Sequence, residues 1–192
     1  DGLASLFYVA NWRFIVNGQS YFDLFSAASP VRHLWSLAIE EQFYLVWPIV
    51  TLICLRIARG RLRVLATVCG VGIVVSTLLM TALYESADPS RAYFGTESRM
   101  HTILVGCLLA LVLSRWTPST RGSVALRWAG AAAALVALIA WSRVSDVDAF
   151  YYHGGSLLYA CLAAIVVVAV VQPSRSALGT ALSLRTLCWV GL

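Results

Sequence analysis

The chain has 192 residues, of which 60% are hydrophobic and only 12% charged, with a formal net charge of +5 and a mean hydropathy of +0.80. Soluble domains carry about 25% charged residues, and apolar runs of about 20 residues mark transmembrane helices, so a soluble globular enzyme is excluded and an integral membrane protein is implied. The positive balance is of the kind set by arginines beside anionic lipid headgroups, and no nucleic-acid partner follows from it.

Leu3 to Ile15 is an apolar, aromatic run that fits most of a first spanning helix. Asn17-Gly18-Gln19-Ser20 breaks the pattern as a turn, and Tyr21 to Pro30 follows as a short loop with interfacial aromatics. The second helix, Leu34 to Leu55, opens with a polar cluster and ends at a basic loop with Arg56, Arg59, Arg61 and Arg63. A third helix spans Val64 to Tyr84, and the loop from Glu85 to Arg99 carries three acids and two arginines. A fourth spans Met100 to Leu113, with Gly106 suggesting close helix packing. Arg115, Arg121 and Arg127 surround Pro118 and Gly122; a fifth helix spans Trp128 to Val144; an acidic and aromatic loop covers Asp146 to Gly155. A sixth helix spans Ser156 to Val171, Arg175 and Arg185 mark another basic loop, and Cys188 to Leu192 reads as the start of a further helix.

The expected fold class is therefore all-α, a polytopic transmembrane bundle of about six spanning helices plus the start of another. Loops after helices two, four and six hold nine arginines and no acid, and the positive-inside rule puts those loops in the cytoplasm. Five cysteines in an odd count, without a Cys-x-x-Cys spacing and with apolar neighbours, read as packing residues, so neither disulfides nor a metal site is expected. A start at Asp1 without Met and an end inside an apolar segment lead to the expectation of an internal piece of a longer protein.

The polar cluster of the second helix is the main candidate for chemistry. A charged side chain at bilayer depth costs at least about 2.5–3.5 kcal/mol, so it is kept near an interface, in a protein-lined cavity or for function. Residues three, four and seven apart share a helix face, which aligns His33, Ser36, Glu40, Tyr44 and Trp47 in one stripe and turns Glu41 away beside Leu34, Leu37 and Leu45. Glu40 can orient an imidazole, accept a substrate hydroxyl or hold a positive partner. His33 suits acid–base work or helix entry, and Ser36, without a Gly-x-Ser-x-Gly elbow, reads as a capping or binding hydroxyl rather than a nucleophile. A second constellation, Tyr93-Phe94-Gly95-Thr96-Glu97-Ser98-Arg99-Met100-His101, sits at the mouth of helix four on the same side. There Glu97 and His101 share a face, and Arg99 offers a bidentate fork for a carboxylate or phosphate. His153, in Tyr151-Tyr152-His153-Gly154-Gly155, reads as part of an interfacial anchor.

The run His33-Leu34-Trp35-Ser36-Leu37-Ala38-Ile39-Glu40-Glu41-Gln42-Phe43-Tyr44-Leu45 closely resembles the signature of the acyltransferase family 3 membrane proteins, which include bacterial O-antigen O-acetylases. Tyr93 to Arg99 followed by Leu104-Val105-Gly106-Cys107-Leu108-Leu109-Ala110 resembles that family's later loop and helix pattern. The resemblance implies that residues 1–192 are the central part of one membrane-embedded acyltransferase domain of about ten spanning helices. It implies a multi-pass enzyme of the bacterial cytoplasmic membrane that moves an acyl group, commonly acetyl, from acyl-CoA to a hydroxyl of an envelope or exported glycan or glycolipid. The donor is a substrate, so no bound cofactor is expected, and a fused extracellular domain is possible outside these residues.

Motif match carries over Trp35, Ser36, Glu40, Gln42, Phe43 and Tyr44 to the signature and Arg99 to the later pattern. Glu40 and His33 are then the catalytic candidates, and Trp35, Ser36, Gln42, Tyr44, Arg99 and Glu97 the substrate-binding ones. The histidine that the family is held to use lies in its first helix, outside these residues, and its role is not transferred to His33; the piece alone is expected to be inactive. The competing reading is a transporter or flippase of an envelope precursor with a proton-linked Glu40/His33 gate, which predicts repeated half-domains with broken helices at matching positions. Pro48 has no counterpart of that kind. A third reading, a catalytically dead scaffold, predicts a first helix that lacks the histidine.

Overall fold

The computed structural model describes residues 1–22, 31–116, 120–172 and 177–190. The predicted loop residues Asp23 to Pro30, with Pro118, Arg175 and the final Gly191-Leu192, lie outside the described residues.

The polar-headed run forms α3, Leu34–Ile57, after two short helices, α1 (Gly2–Leu6) and α2 (Ala10–Val16). At 1.5 Å per residue its 24 residues extend about 36 Å, enough to cross a hydrocarbon core of about 30 Å. Pro48 lies inside it and removes the helical hydrogen bond to the Tyr44 carbonyl without ending the helix. A four-residue connection turns the chain into α4, Leu62–Ala82. Then follow a single turn, α5 (Ser90–Phe94), and the helices α6 (Thr96–Leu113) and α7 (Thr120–Arg143). A kinked turn, Tyr151–Gly155, with non-helical backbone at His153 and Gly154 at φ 109°, leads into α8 (Ser156–Val171), and α9 (Ala177–Leu182) and α10 (Arg185–Val190) complete the described chain. Among the described residues all regular structure is helical, and five helices are long and apolar enough to cross a membrane: α3, α4, α6, α7 from Gly122, and α8 with its preceding turn.

Packing runs in pairs. The antiparallel helices α4 and α6 lie along one another, as do α7 and α8, with α8 also touching α6 and α3 touching α2 and α4. The bundle therefore has two ends. The aromatic end holds α1, α2, α5, the start of α3 and α6 and the kinked turn before α8; the arginine end holds the α3–α4 turn and Ser114 to Trp116 after α6. A core of Phe14, Trp35, Ile39, Met80, Phe94 and Tyr152 fills the aromatic end, and a smaller one of Phe43, Cys69 and Leu104 lies deeper between α3, α4 and α6.

Three expectations need correction. Leu3 to Ile15 is no spanning helix: it breaks at Phe7-Tyr8-Val9, with Tyr8 in the left-handed region at φ 56°. The break lets Arg13 fold back onto Asp1, Nε to Oδ1 2.8 Å, and brings Asn11 to partners on α6, where a straight helix would carry both polar groups through lipid unpaired. The helix placed at Met100 starts four residues earlier at Thr96, and the one placed at Trp128 starts at Thr120. Gly106 is not a packing glycine, since a Cβ there would meet nothing within 4 Å. Close approach instead occurs at Gly72, where a Cβ would come within 2.7 Å of Leu104, and at Gly130, where it would overlap the methyl of Ala169.

Candidate functional site

At the aromatic end three side chains from three helices close a ring. Asn11 of α2, fully buried, donates through Nδ2 to Thr96 Oγ1 at 2.9 Å and to the Phe94 carbonyl at 3.1 Å. The Thr96 hydroxyl of α6 donates onward to Gln42 Oε1 at 2.7 Å. Gln42 of α3 returns through Nε2 to Asn11 Oδ1 at 3.0 Å and to the Tyr8 carbonyl at 2.7 Å. Every donor in the ring has an acceptor, which is the condition under which a polar network rigidifies a core instead of destabilising it. The left-handed residue Tyr8 is thus part of the device, because its turn points the carbonyl at Gln42.

Arg99, on the first turns of α6, lies in a box of rings. Its guanidinium carbon is 4.9 Å from the Tyr93 ring centre, 5.2 Å from Trp35 and 5.9 Å from Tyr151, and Nη1 donates to the Tyr151 hydroxyl at 2.8 Å. Aromatic faces attract a cation without neutralising it, and no carboxylate pairs with Arg99 among the described residues. Burial pushes the Tyr93 hydroxyl well above the usual phenol range, against the lowering influence of Arg99 beside it, so Tyr93 stays a neutral wall of the box.

The neighbouring arginine is handled differently. Arg91 pairs with Glu97, its guanidinium lies 5.7 Å from the Trp12 ring centre, and Gly95 makes room, since a Cβ there would come within 2.7 Å of Arg91 Nη1 and 2.6 Å of Ser98 Oγ. Glu97 Oε2 and Arg91 Nη1 remain buried without a hydrogen-bond partner among the described residues.

The polar stripe of α3 keeps its predicted alignment but faces outward. Ser36, Glu40 and Tyr44 are exposed, and no hydrogen bond or ion pair engages the Glu40 carboxylate among the described residues. Ser36 Oγ donates to the His33 carbonyl at 3.3 Å. His33, the residue that precedes α3, is exposed and lies about 10 Å along the axis from Glu40, so the two do not bond directly. Trp35 is buried under Arg99 and Gln42 is committed to the ring. The structure therefore brings Trp35 and Arg99 together, ties Glu97 to Arg91, and presents Ser36, Glu40 and Tyr44 on a surface of their own.

His101 does not share an environment with Glu97. It is fully buried, with Nδ1 2.9 Å from the Ser98 carbonyl and Nε2 2.8 Å from Ser156 Oγ of α8, while its backbone N–H donates to Ser76 Oγ of α4 at 3.0 Å. Those bonds tie α4, α6 and α8 at one level, which is structural work. His153 is exposed, with Nδ1 2.7 Å from the Ala149 carbonyl and its ring edge-on to Tyr84. Sequence reasoning gave no role to Asn11, and it named Thr96 and Tyr151 only within the runs Tyr93 to His101 and Tyr151 to Gly155. Asn11 carried a signal too, as an amide inside an apolar run.

Comparison with known proteins adds a family context. The chain is 40% identical, over 196 aligned residues, to the peptidoglycan O-acetyltransferase OatA of Listeria monocytogenes, and 34% identical over 198 to the O-acetyltransferase OatA of Staphylococcus aureus. In each case the alignment takes in 100% of this chain but only 31% and 32% of the relative, so the chain spans about a third of the length of the curated relatives it matches. No family model matches the chain, and no solved structure matches it.

Proposed function

We propose that this chain forms the central part of an integral membrane O-acyltransferase that moves an acetyl group from a thioester donor, acyl-CoA, to a hydroxyl of peptidoglycan or a related envelope glycan. The observation that carries the reading is the end-to-end similarity to two O-acetyltransferases, which runs through both the α3 stripe and the Arg99 box. In this reading the protein sits in the cytoplasmic membrane with its arginine end inside and its aromatic end outside.

Acyl transfer to a sugar joins the acceptor oxygen to the thioester carbonyl carbon, breaks the C–S bond and sends the hydroxyl proton to the departing thiol. A group that accepts that proton, or orients the group that does, contributes typically 10²–10⁴-fold. Glu40 is suited to it: an exposed carboxylate, about 9 Å along a spanning helix from its start, with no competing partner among the described residues. Ser36 and Tyr44, one turn to either side, supply hydroxyls that can position a sugar. The Arg99 guanidinium lies in an aromatic box, and rings with a guanidinium among them suit the faces of a glycan and an anionic substituent on it.

The test is transfer of radiolabelled acetyl from acetyl-CoA to envelope glycan in membranes that hold the complete protein. Wild type is compared with Glu40→Gln and Arg99→Ala at equal abundance. Label that falls at least about a hundredfold with Glu40→Gln supports the assignment. Equal label in all three removes α3 from the chemistry, and no label with any acyl-CoA removes the donor.

A further inference from the structure

The arginine end carries a second cleft, to which the transfer chemistry proposed above assigns no residue. Arg59 and Arg61 of the α3–α4 turn, Arg63 at the start of α4 and Arg115 just past α6 rim one cleft of about 740 Å³. All four side chains are exposed, and no ion pair or hydrogen bond engages any of them among the described residues. Four like charges around one cleft repel each other, and the backbone adds to the imbalance. The cleft lies at the N-terminus of the 21-residue helix α4, where Arg61 occupies the cap position in an extended conformation and no side chain caps the helix. Open amides and the positive end of the helix dipole favour an anion at that point.

The turn itself is built at a cost. The Gly60 N–H bonds the Leu55 carbonyl at 2.8 Å and the Arg59 N–H bonds the Arg56 carbonyl at 3.2 Å, the paired closure that ends a helix with a left-handed residue and favours glycine there. Arg59 occupies that left-handed position at φ 50°. The walls narrow the choice of anion. Apart from the arginines, the lining is Gly60 and aliphatic side chains, Leu108 and Val112 of α6 among them. Among the described lining residues no side-chain ring, amide or hydroxyl is present to read a purine or the amides of a pantetheine arm. Val64 and Val112 are exposed on helices that span the membrane, so the apolar side of the cleft continues into the hydrocarbon.

We propose that this cleft binds the phosphate headgroup of an anionic phospholipid, with an acyl chain laid along α4 and α6. Basic pockets between spanning helices are suited to such headgroups. The assignment stands independently of the acyl-transfer reading, because its readout is lipid.

The experiment measures phosphatidylglycerol retained by the complete protein after transfer from mixed phosphatidylcholine and phosphatidylglycerol vesicles into neutral detergent, read by native mass spectrometry. Wild type is expected to retain phosphatidylglycerol in preference to phosphatidylcholine, and Arg61→Gln/Arg115→Gln to hold it about thirtyfold more weakly, from loss of two near-surface charges. Val112→Trp, which puts an indole across the apolar wall of the cleft and keeps every arginine, is expected to lose it too. Arg56→Gln, which removes one charge in the last turn of α3 just outside the cleft lining, is expected to behave as wild type. Equal loss with Arg56→Gln would reduce the effect to diffuse surface charge and overturn the site. Lipid kept by Val112→Trp would overturn the cleft. Coenzyme A or inorganic phosphate bound in an Arg61- and Arg115-dependent way, with no lipid retained, would give the arginines to a soluble anion and overturn the lipid assignment.

Discussion

The two ends of the bundle treat positive charge in opposite ways. At the aromatic end Arg13 pairs with Asp1, Arg91 with Glu97, Arg32 donates to the Tyr21 carbonyl at 2.8 Å, and Arg99 is boxed by three rings. At the arginine end Arg59, Arg61, Arg63 and Arg115 have no such partners among the described residues. An arginine held by neighbours is pre-organised and loses little side-chain freedom on meeting a ligand, which suits recognition of one geometry. Unpartnered arginines around a wide cleft suit a charge that arrives from the surroundings. The first end is built to position, the second to attract.

That contrast is sharpest at the polar ties of the aromatic end. His101→Ala should remove a fully buried ring and leave the Ser156 hydroxyl without the partner it has in the imidazole. The cavity and the unmade bonds together should cost about 3–5 kcal/mol. Thermal unfolding of the complete protein in detergent checks it, and a melting temperature unchanged from wild type would mean that the imidazole does not hold α6 to α8. Glu40→Gln, by contrast, should leave unfolding untouched, because nothing described engages the carboxylate, while acetyl transfer falls by about two orders of magnitude.

A smaller effect separates a ring from three independent bonds. Asn11→Leu and Thr96→Val each open the ring with Gln42. Residues in one network couple by about 0.5–3 kcal/mol, so the double variant should lose less than the sum of the singles by an amount in that range. Additive losses would show that the three side chains act separately.

Much of this organisation was legible in the residues. Long apolar runs fixed five of the six anticipated spanning helices, since length and hydropathy suffice for that. The 3.6-residue period placed Ser36, Glu40 and Tyr44 on one face. What escaped is contact between distant segments. Nothing in the run Leu3 to Ile15 shows that Asn11 will meet Thr96, 85 residues on, and it is that partner that makes the break after Phe7 worthwhile. Gly106 and Gly72 look alike as sequence, yet only Gly72 faces a neighbour, because which side of α6 meets α4 is decided by packing. Glu97 and His101 do share a helical face by spacing, but Arg91 draws one to the rim and Ser156 holds the other in the core.

The smallest effect concerns three helix ends with the same closure. The ends of α1, α2 and α3 all place a left-handed residue one position beyond the cap: Tyr8 at φ 56°, Gly18 at φ 60° and Arg59 at φ 50°. Only Gly18 follows the preference of the backbone, and each of the others gives up about 1 kcal/mol to keep its side chain there. The side chain of Arg59 lies exposed at the cleft rim, so Arg59→Gly should raise stability by about 1 kcal/mol while phosphatidylglycerol retention falls. Chemical denaturation and lipid mass spectrometry on the same preparation read the two together. A gain in stability with lipid retention unchanged would separate Arg59 from the cleft, and opposite movements would show that strain at this turn is held for the charge it positions.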